Sequence, residues 1–164
     1  MPVLVSDTSV IIDLERGGLL EDLFRLPFEF AVPDLLFHRE LSGDIGDQLI
    51  ALGLRVEELV PTELGRAVAV RREVATLSTP DTFAFAIAES RAWALLTGDG
   101  ALRQFALNAG VVTHGVLWVC DRFEEHVVLA HDRLHEGLTG ISSHPRCRLP
   151  AAEVRARLHR YAAA

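Results

Sequence analysis

The chain has 164 residues, 49% of them hydrophobic and 24% charged, which is the profile of one globular domain whose core needs no covalent staples. Its formal net charge is −7, and all 16 basic residues are arginine. The absence of lysine excludes a P-loop nucleotide site, a Schiff-base enzyme, a protein kinase, a phosphate-receiving signalling domain and a haloacid-dehalogenase-type phosphatase, each of which needs one.

The elements alternate. Val3–Ser6 reads as a short apolar strand, followed by a helix through Ile11, Ile12 and Leu14 that stops at Gly17-Gly18. Leu19–Arg25 predicts a short helix, Phe28–Val32 a strand closed by Pro33, and Asp34 the start of a helix carrying Leu35, Leu36, Phe37, Glu40 and Leu41. Gln48–Leu54 predicts a helix and Arg55–Leu59 an edge strand. In the second half, Glu63–Thr76 is amphipathic, and Pro80–Arg91 is helical after a Ser-Thr-Pro start signal. Ala92–Leu96 predicts a buried strand, Gly100–Asn108 a helix ended by Gly110, and Val111–Thr113 a short strand. Residues 116–138 read as two helices and Glu153–Tyr161 as a terminal basic one. Strands separated by helices predict an α/β fold, a three-layer α/β/α sandwich with a central, mostly parallel sheet and additional C-terminal helices.

The N-terminus lacks the basic region of a signal peptide, and no apolar run approaches the roughly 20 residues that span a bilayer. Two cysteines, Cys120 and Cys147, are too few for a disulfide framework, so reduced thiols in a cytoplasmic protein are expected. The charge is uneven. From Arg146 onward five arginines face one acid, a surplus of four positive charges, which leaves residues 1–145 at −11. Such a body does not suit a protein that coats nucleic acid by neutralising phosphates, but it does suit one whose acids hold cations.

In a parallel sheet flanked by helices, ligands bind beyond the carboxyl ends of the strands. Asp7 follows the first strand, Asp99 follows the Ala92–Leu96 strand, and Asp81 opens the helix before that strand. Glu40 lies i+4 from Leu36 and i+3 from Phe37, which predicts a position along an apolar helix face. Each aspartate taken singly is explained by helix capping, and Glu40 by pairing with an arginine such as Arg71. Convergence of all four on one crevice is not. Several carboxylates and little else suit the hard cations Mg²⁺ and Mn²⁺, which promote displacement at phosphorus and invert the local field that would repel a phosphodiester.

The segments Ser6-Asp7-Thr8-Ser9, Pro80-Asp81-Thr82-Phe83 and Leu96-Thr97-Gly98-Asp99-Gly100, in this order, resemble a PIN-domain ribonuclease from Val3 to about Gly115. The resemblance implies that Asp7, Glu40, Asp81 and Asp99 are catalytic, with Asp7, Asp81 and Asp99 binding Mg²⁺ or Mn²⁺ for RNA cleavage and Ser9 and Thr97 in support. It implies a toxin of a toxin–antitoxin pair, homodimeric, inhibited by a cognate antitoxin protein, with 1–164 as a single PIN-like domain and 116–164 as a helical C-terminal extension. Many members carry a further acid two residues beyond the last aspartate, and here that position is Ala101. The alternative is a non-catalytic PIN-like module that binds RNA or protein.

Two other signals stand apart. His131 and His135 have the i, i+4 spacing of a zinc-peptidase helix, without its glutamate and with only His144 as a third ligand. The terminal helix places Val154, Leu158 and Tyr161 on one face, and Arg155, Arg157 and Arg160 over the rest. Those arginines predict either a solvated face on a docked helix or a contact with RNA or antitoxin.

Overall fold

In the computed structural model, which describes residues 1–163, five strands form one sheet. They are β1 (Val3–Ser6), β2 (Glu29–Pro33), β3 (Arg55–Glu57), β4 (Ala94–Leu96) and β5 (Thr113–His114), in the order β3-β2-β1-β4-β5, and every pairing is parallel. Between and after them run α1 (Thr8–Arg16), α2 (Asp34–Glu40), α3 (Asp44–Leu52), α4 (Pro61–Glu73), α5 (Thr79–Arg91), α6 (Gly100–Asn108), α7 (Val116–Glu125), α8 (His131–Ser142) and α9 (Ala151–Ala162).

The strands are apolar runs without alternation because both faces of the sheet are covered. Leu4, Phe30 and Leu96 enter one core with Leu14 of α1, Leu36 of α2, Leu49 of α3, Phe123 of α7 and Leu138 of α8. Val5 and Leu95 point the other way, into a second core with Val70 of α4, Phe85 and Ile87 of α5 and Leu102 of α6. The result is the three-layer α/β/α arrangement.

Element ends differ from the sequence reading where glycine or a left-handed residue intervenes. The helix expected over 48–54 runs over Asp44–Leu52, because Gly43 (φ 100°) opens it and Gly53 (φ 119°) closes it. β4 begins at Ala94 rather than Ala92, since Ala92 adopts φ 55° and caps α5. The stretch 19–25 forms only a 3-10 turn, Glu21–Arg25, and β5 falls at Thr113–His114 rather than 111–113.

The C-terminal helices pack on the α1 side of the sheet. Leu134, Leu138 and Ile141 of α8 and Val154 and Tyr161 of α9 belong to the same core as Leu14. Gly137 makes the α8 approach close: a Cβ there would sit 2.7 to 2.8 Å from the Leu19 side chain. After β1, the chain adds β2 and β3 to one side of β1 and then crosses to add β4 and β5 to the other. The crevice at the carboxyl ends of β1 and β4 is therefore the point where the winding reverses, the usual ligand position in open α/β sheets.

Candidate metal centre

Asp7 is the first residue past β1 and lies at the floor of that crevice with no exposed surface. One carboxylate oxygen, Oδ1, accepts hydrogen bonds from the Ser9 hydroxyl at 2.7 Å and from the Val10 N–H at 3.2 Å, the latter capping α1. The other, Oδ2, accepts from the Thr97 hydroxyl at 2.5 Å. Both hydroxyls accept in turn from the turn after β4: Ser9 from the Gly98 N–H at 2.8 Å, and Thr97 from the Asp99 N–H at 3.0 Å. Two short side chains thus tie Asp7 to the Asp99 turn. Gly98 permits the approach, for a Cβ there would meet the Ser9 oxygen at 3.1 Å.

Asp99 caps α6 through a bond of 2.9 Å from the Leu102 N–H to Oδ1 and remains half-buried. Asp81 lies in the first turn of α5, whose cap is Ser78 rather than Asp81 itself. Capping therefore does occupy Asp7 and Asp99, yet it coexists with convergence. Burial holds the Asp7 carboxyl up at about 7 from an ordinary 3.8; the Thr97 and Ser9 hydrogen bonds oppose this, and the negative charge of Asp81 adds to it. Asp81 is also raised, first by burial, with a Ser78 bond opposing, and then by the charges of Asp99 and Glu40. Among the described residues, none of Asp7, Asp81 and Asp99 enters an ion pair.

Glu40 departs from the expectation. It is exposed, because α2 ends there and Leu41, which is buried and bonded to the Phe37 carbonyl at 2.9 Å, closes the apolar stripe instead. It still acts on Asp81 through its charge, so it stands at the rim of the crevice. Arg71, the alternative partner, donates instead to the Thr79 hydroxyl at 2.6 Å.

Among the described residues, no three His, Cys, Asp or Glu side chains are close enough to enclose a metal ion. The donor set nevertheless fits a hard cation that keeps its waters. Mg²⁺ commonly takes only one or two carboxylates, the rest of its shell being water and phosphate. A carboxylate has about four acceptor sites, so Asp7, with three filled, retains one, and Asp99 has an oxygen outside its cap. The two-histidine spacing has another explanation: His131 Nε2 lies 2.8 Å from Glu124 Oε2, and its ring packs against Tyr161.

The terminal arginines are not the free set that their spacing suggested. Arg157 clasps Asp121 of α7 through two bonds of 2.8 and 2.7 Å, and Arg160 reaches Glu124 at 2.9 Å, so both serve to dock α9. Arg155 is exposed and unpaired among the described residues. A cavity of about 620 Å³ lies at the opposite, amino ends of the strands, beside Trp93 and Trp118, and contains none of the four acids.

The molecule is thus a parallel α/β sandwich with aspartates gathered at its winding reversal, the position at which such sheets bind ligands. The chain matches the model of a PIN-domain family, DUF3368, over residues 3–162, and it belongs to that family. PIN domains are generally nucleases that use divalent metals. Among solved structures, the chain is similar to a PilT N-terminus domain protein, SSO1118, from the hyperthermophilic archaeon Sulfolobus solfataricus P2. The identity is 16% and the TM-score 0.47, over 73% of this chain and 90% of that one. A comparison with curated proteins found no match. No helix among the described residues is long and apolar enough to cross a membrane.

Proposed function

We propose that this PIN domain is a Mg²⁺- or Mn²⁺-dependent endoribonuclease, and that it is the toxin of a toxin–antitoxin pair. The observation that carries the nuclease reading is that Ser9 and Thr97 tie the buried Asp7 to the Asp99 turn, that the charge of Asp81 acts on Asp7 and those of Asp99 and Glu40 on Asp81, and that no cation is paired to any of the three aspartates among the described residues. Buried like charges of this kind are costly unless a ligand neutralises them. A divalent cation bound there supplies a Lewis acid and a water of lowered pKa. Asp7 and Asp99 would hold it through their free oxygens, with Asp81 acting through water; Ser9 and Thr97 fix the Asp7 oxygens, and Glu40, exposed at the rim, would orient water or accept its proton at the carboxylate. An exposed apolar stripe that runs from Val60, the N-cap of α4, through Leu64 and Val68 of the helix, at 50, 40 and 50% exposure, supports a second copy or an antitoxin as protein partner.

The test is cleavage of RNA with Mn²⁺ by the protein and by an Asp7→Asn, Asp99→Asn double variant. Loss of cleavage by about 100-fold or more is expected for removal of charged groups that act on the reacting phosphate. Equal cleavage by both proteins would sink the enzyme reading and leave a binding module. Growth arrest on expression, absent for the double variant, is the expected sign of a toxin; unimpaired growth with the active protein would remove that label.

A further inference from the structure

The loop between α8 and α9 returns to the metal crevice, and it brings cations. A cleft of about 590 Å³ has Ser9, Asp13 and Arg16 of α1 on one wall, Asp99 at one end, and Arg146 and Arg148 of the loop on the other wall. The loop is held in shape by its own hydrogen bonds. Cys147 N–H donates to the His144 carbonyl at 3.0 Å, Arg146 N–H to His144 Nδ1 at 3.1 Å, and Leu149 N–H to Cys147 Sγ at 3.5 Å. Pro145, Arg146, Cys147 and Arg148 share this cleft with Ile12, Asp13 and Arg16, which sets the loop across from α1.

Arg146 and Arg148 are exposed, and neither guanidinium enters an ion pair or a hydrogen bond among the described residues. Most other arginines of the chain are spent: Arg66 on Glu89, Arg91 on Glu57 and Glu63, Arg157 and Arg160 on Asp121 and Glu124. Two unspent guanidiniums, two residues apart, face a cleft that ends at a metal-site carboxylate. The cleft is of the size that takes a nucleotide-scale ligand. Guanidinium matches the two oxygens of a phosphate in a bidentate pair, and it does so at an acidic protein's surface only where it is locally unpaired.

The geometry points to this cleft as the channel for the RNA strand leaving the metal centre, with Arg146 and Arg148 gripping successive backbone phosphates beside the one at Asp99. The inference rests on the nuclease reading above and assigns its substrate path. It takes the place of the α9 arginines, two of which are locked in ion pairs.

The experiment measures the binding of a short fluorescein-labelled single-stranded RNA by anisotropy over a range of salt. An Asp81→Asn background prevents cutting. Each phosphate contact on a single strand contributes about 0.7 to the slope of log affinity against log salt, so Arg146→Gln with Arg148→Gln is expected to reduce that slope by roughly 1.4 and to weaken binding by about tenfold or more. Arg146→Lys with Arg148→Lys keeps most of the salt slope, and Arg72→Gln, an exposed arginine on α4, changes nothing. Circular dichroism melts check that each variant folds. Binding and slope unmoved by the double Gln variant, in a protein that does cleave RNA, overturn the channel alone. No RNA binding by the unsubstituted protein overturns the channel and the nuclease reading together. Polyglutamate bound more tightly than RNA, and lost in the same variant, assigns the cleft to an acidic protein segment and also overturns the proposal.

Discussion

Asp7 has three hydrogen-bond donors and still resists ionisation, because burial outweighs them. In the folded chain it releases its proton near pH 7, against 3.8 for an ordinary aspartate. Between those values the folded state holds a proton that the unfolded state has lost, so without metal stability falls as pH rises across this window and levels off above it. The metal-free Tm is therefore expected to be higher at pH 5 than at pH 8, and Asp7→Asn to flatten the difference; a flat profile in the unsubstituted protein would contradict the account. A cation competes for the same oxygens, so the Tm gain from Mn²⁺ should be larger at pH 8 than at pH 6. Thr97→Val removes the donor to Oδ2 while keeping the shape, and about 1–3 kcal/mol of stability should go with it in urea titrations. The three aspartates were legible in the sequence because each stands at a strand or helix junction. The exposure of Glu40 was not, since it depends on α2 stopping one residue before Leu41.

At the scale of elements, α8 lies close against the segment after α1. Gly137→Ala would drive a methyl group into Leu19, itself without exposed surface, and should cost about 1–3 kcal/mol, read as a fall in Tm. Gly65, on exposed α4 with open space around it, is the contrasting case: Gly65→Ala should raise stability by about 0.5–1 kcal/mol through helix propensity alone. Helix α6 could be read to the residue, because Asp99 caps it and Gly110 closes the turn after it. Helix α3 could not, although Gly43 and Gly53 bracket it, because the apolar periodicity begins later than the glycine does. The role of Arg157 and Arg160 was illegible for a different reason. Their partners Asp121 and Glu124 lie 36 residues away on α7, and only the docking of α9 brings them together.

At the scale of the molecule, the charge of −7 conceals a division of labour. Three aspartates without a paired cation among the described residues, Asp7, Asp81 and Asp99, lie at the carboxyl ends of β1 and β4, and the C-terminal arginines divide between clamping α9 and lining the cleft. The sheet order divides the site in another way. Residues 1–57 carry β1 to β3 with Asp7, Ser9 and Glu40, whereas 61–163 carry β4, β5 and the remaining groups, Asp81, Thr97, Asp99, Arg146 and Arg148. The join between them, around Glu58 and Val60, is exposed. Opened there, the chain becomes a two-piece switch. Each piece alone is expected to be inert, and mixing them should restore Mn²⁺-dependent cleavage as β4 pairs with β1. Fused to two interacting proteins, the pieces would report that encounter by cutting a fluorogenic RNA.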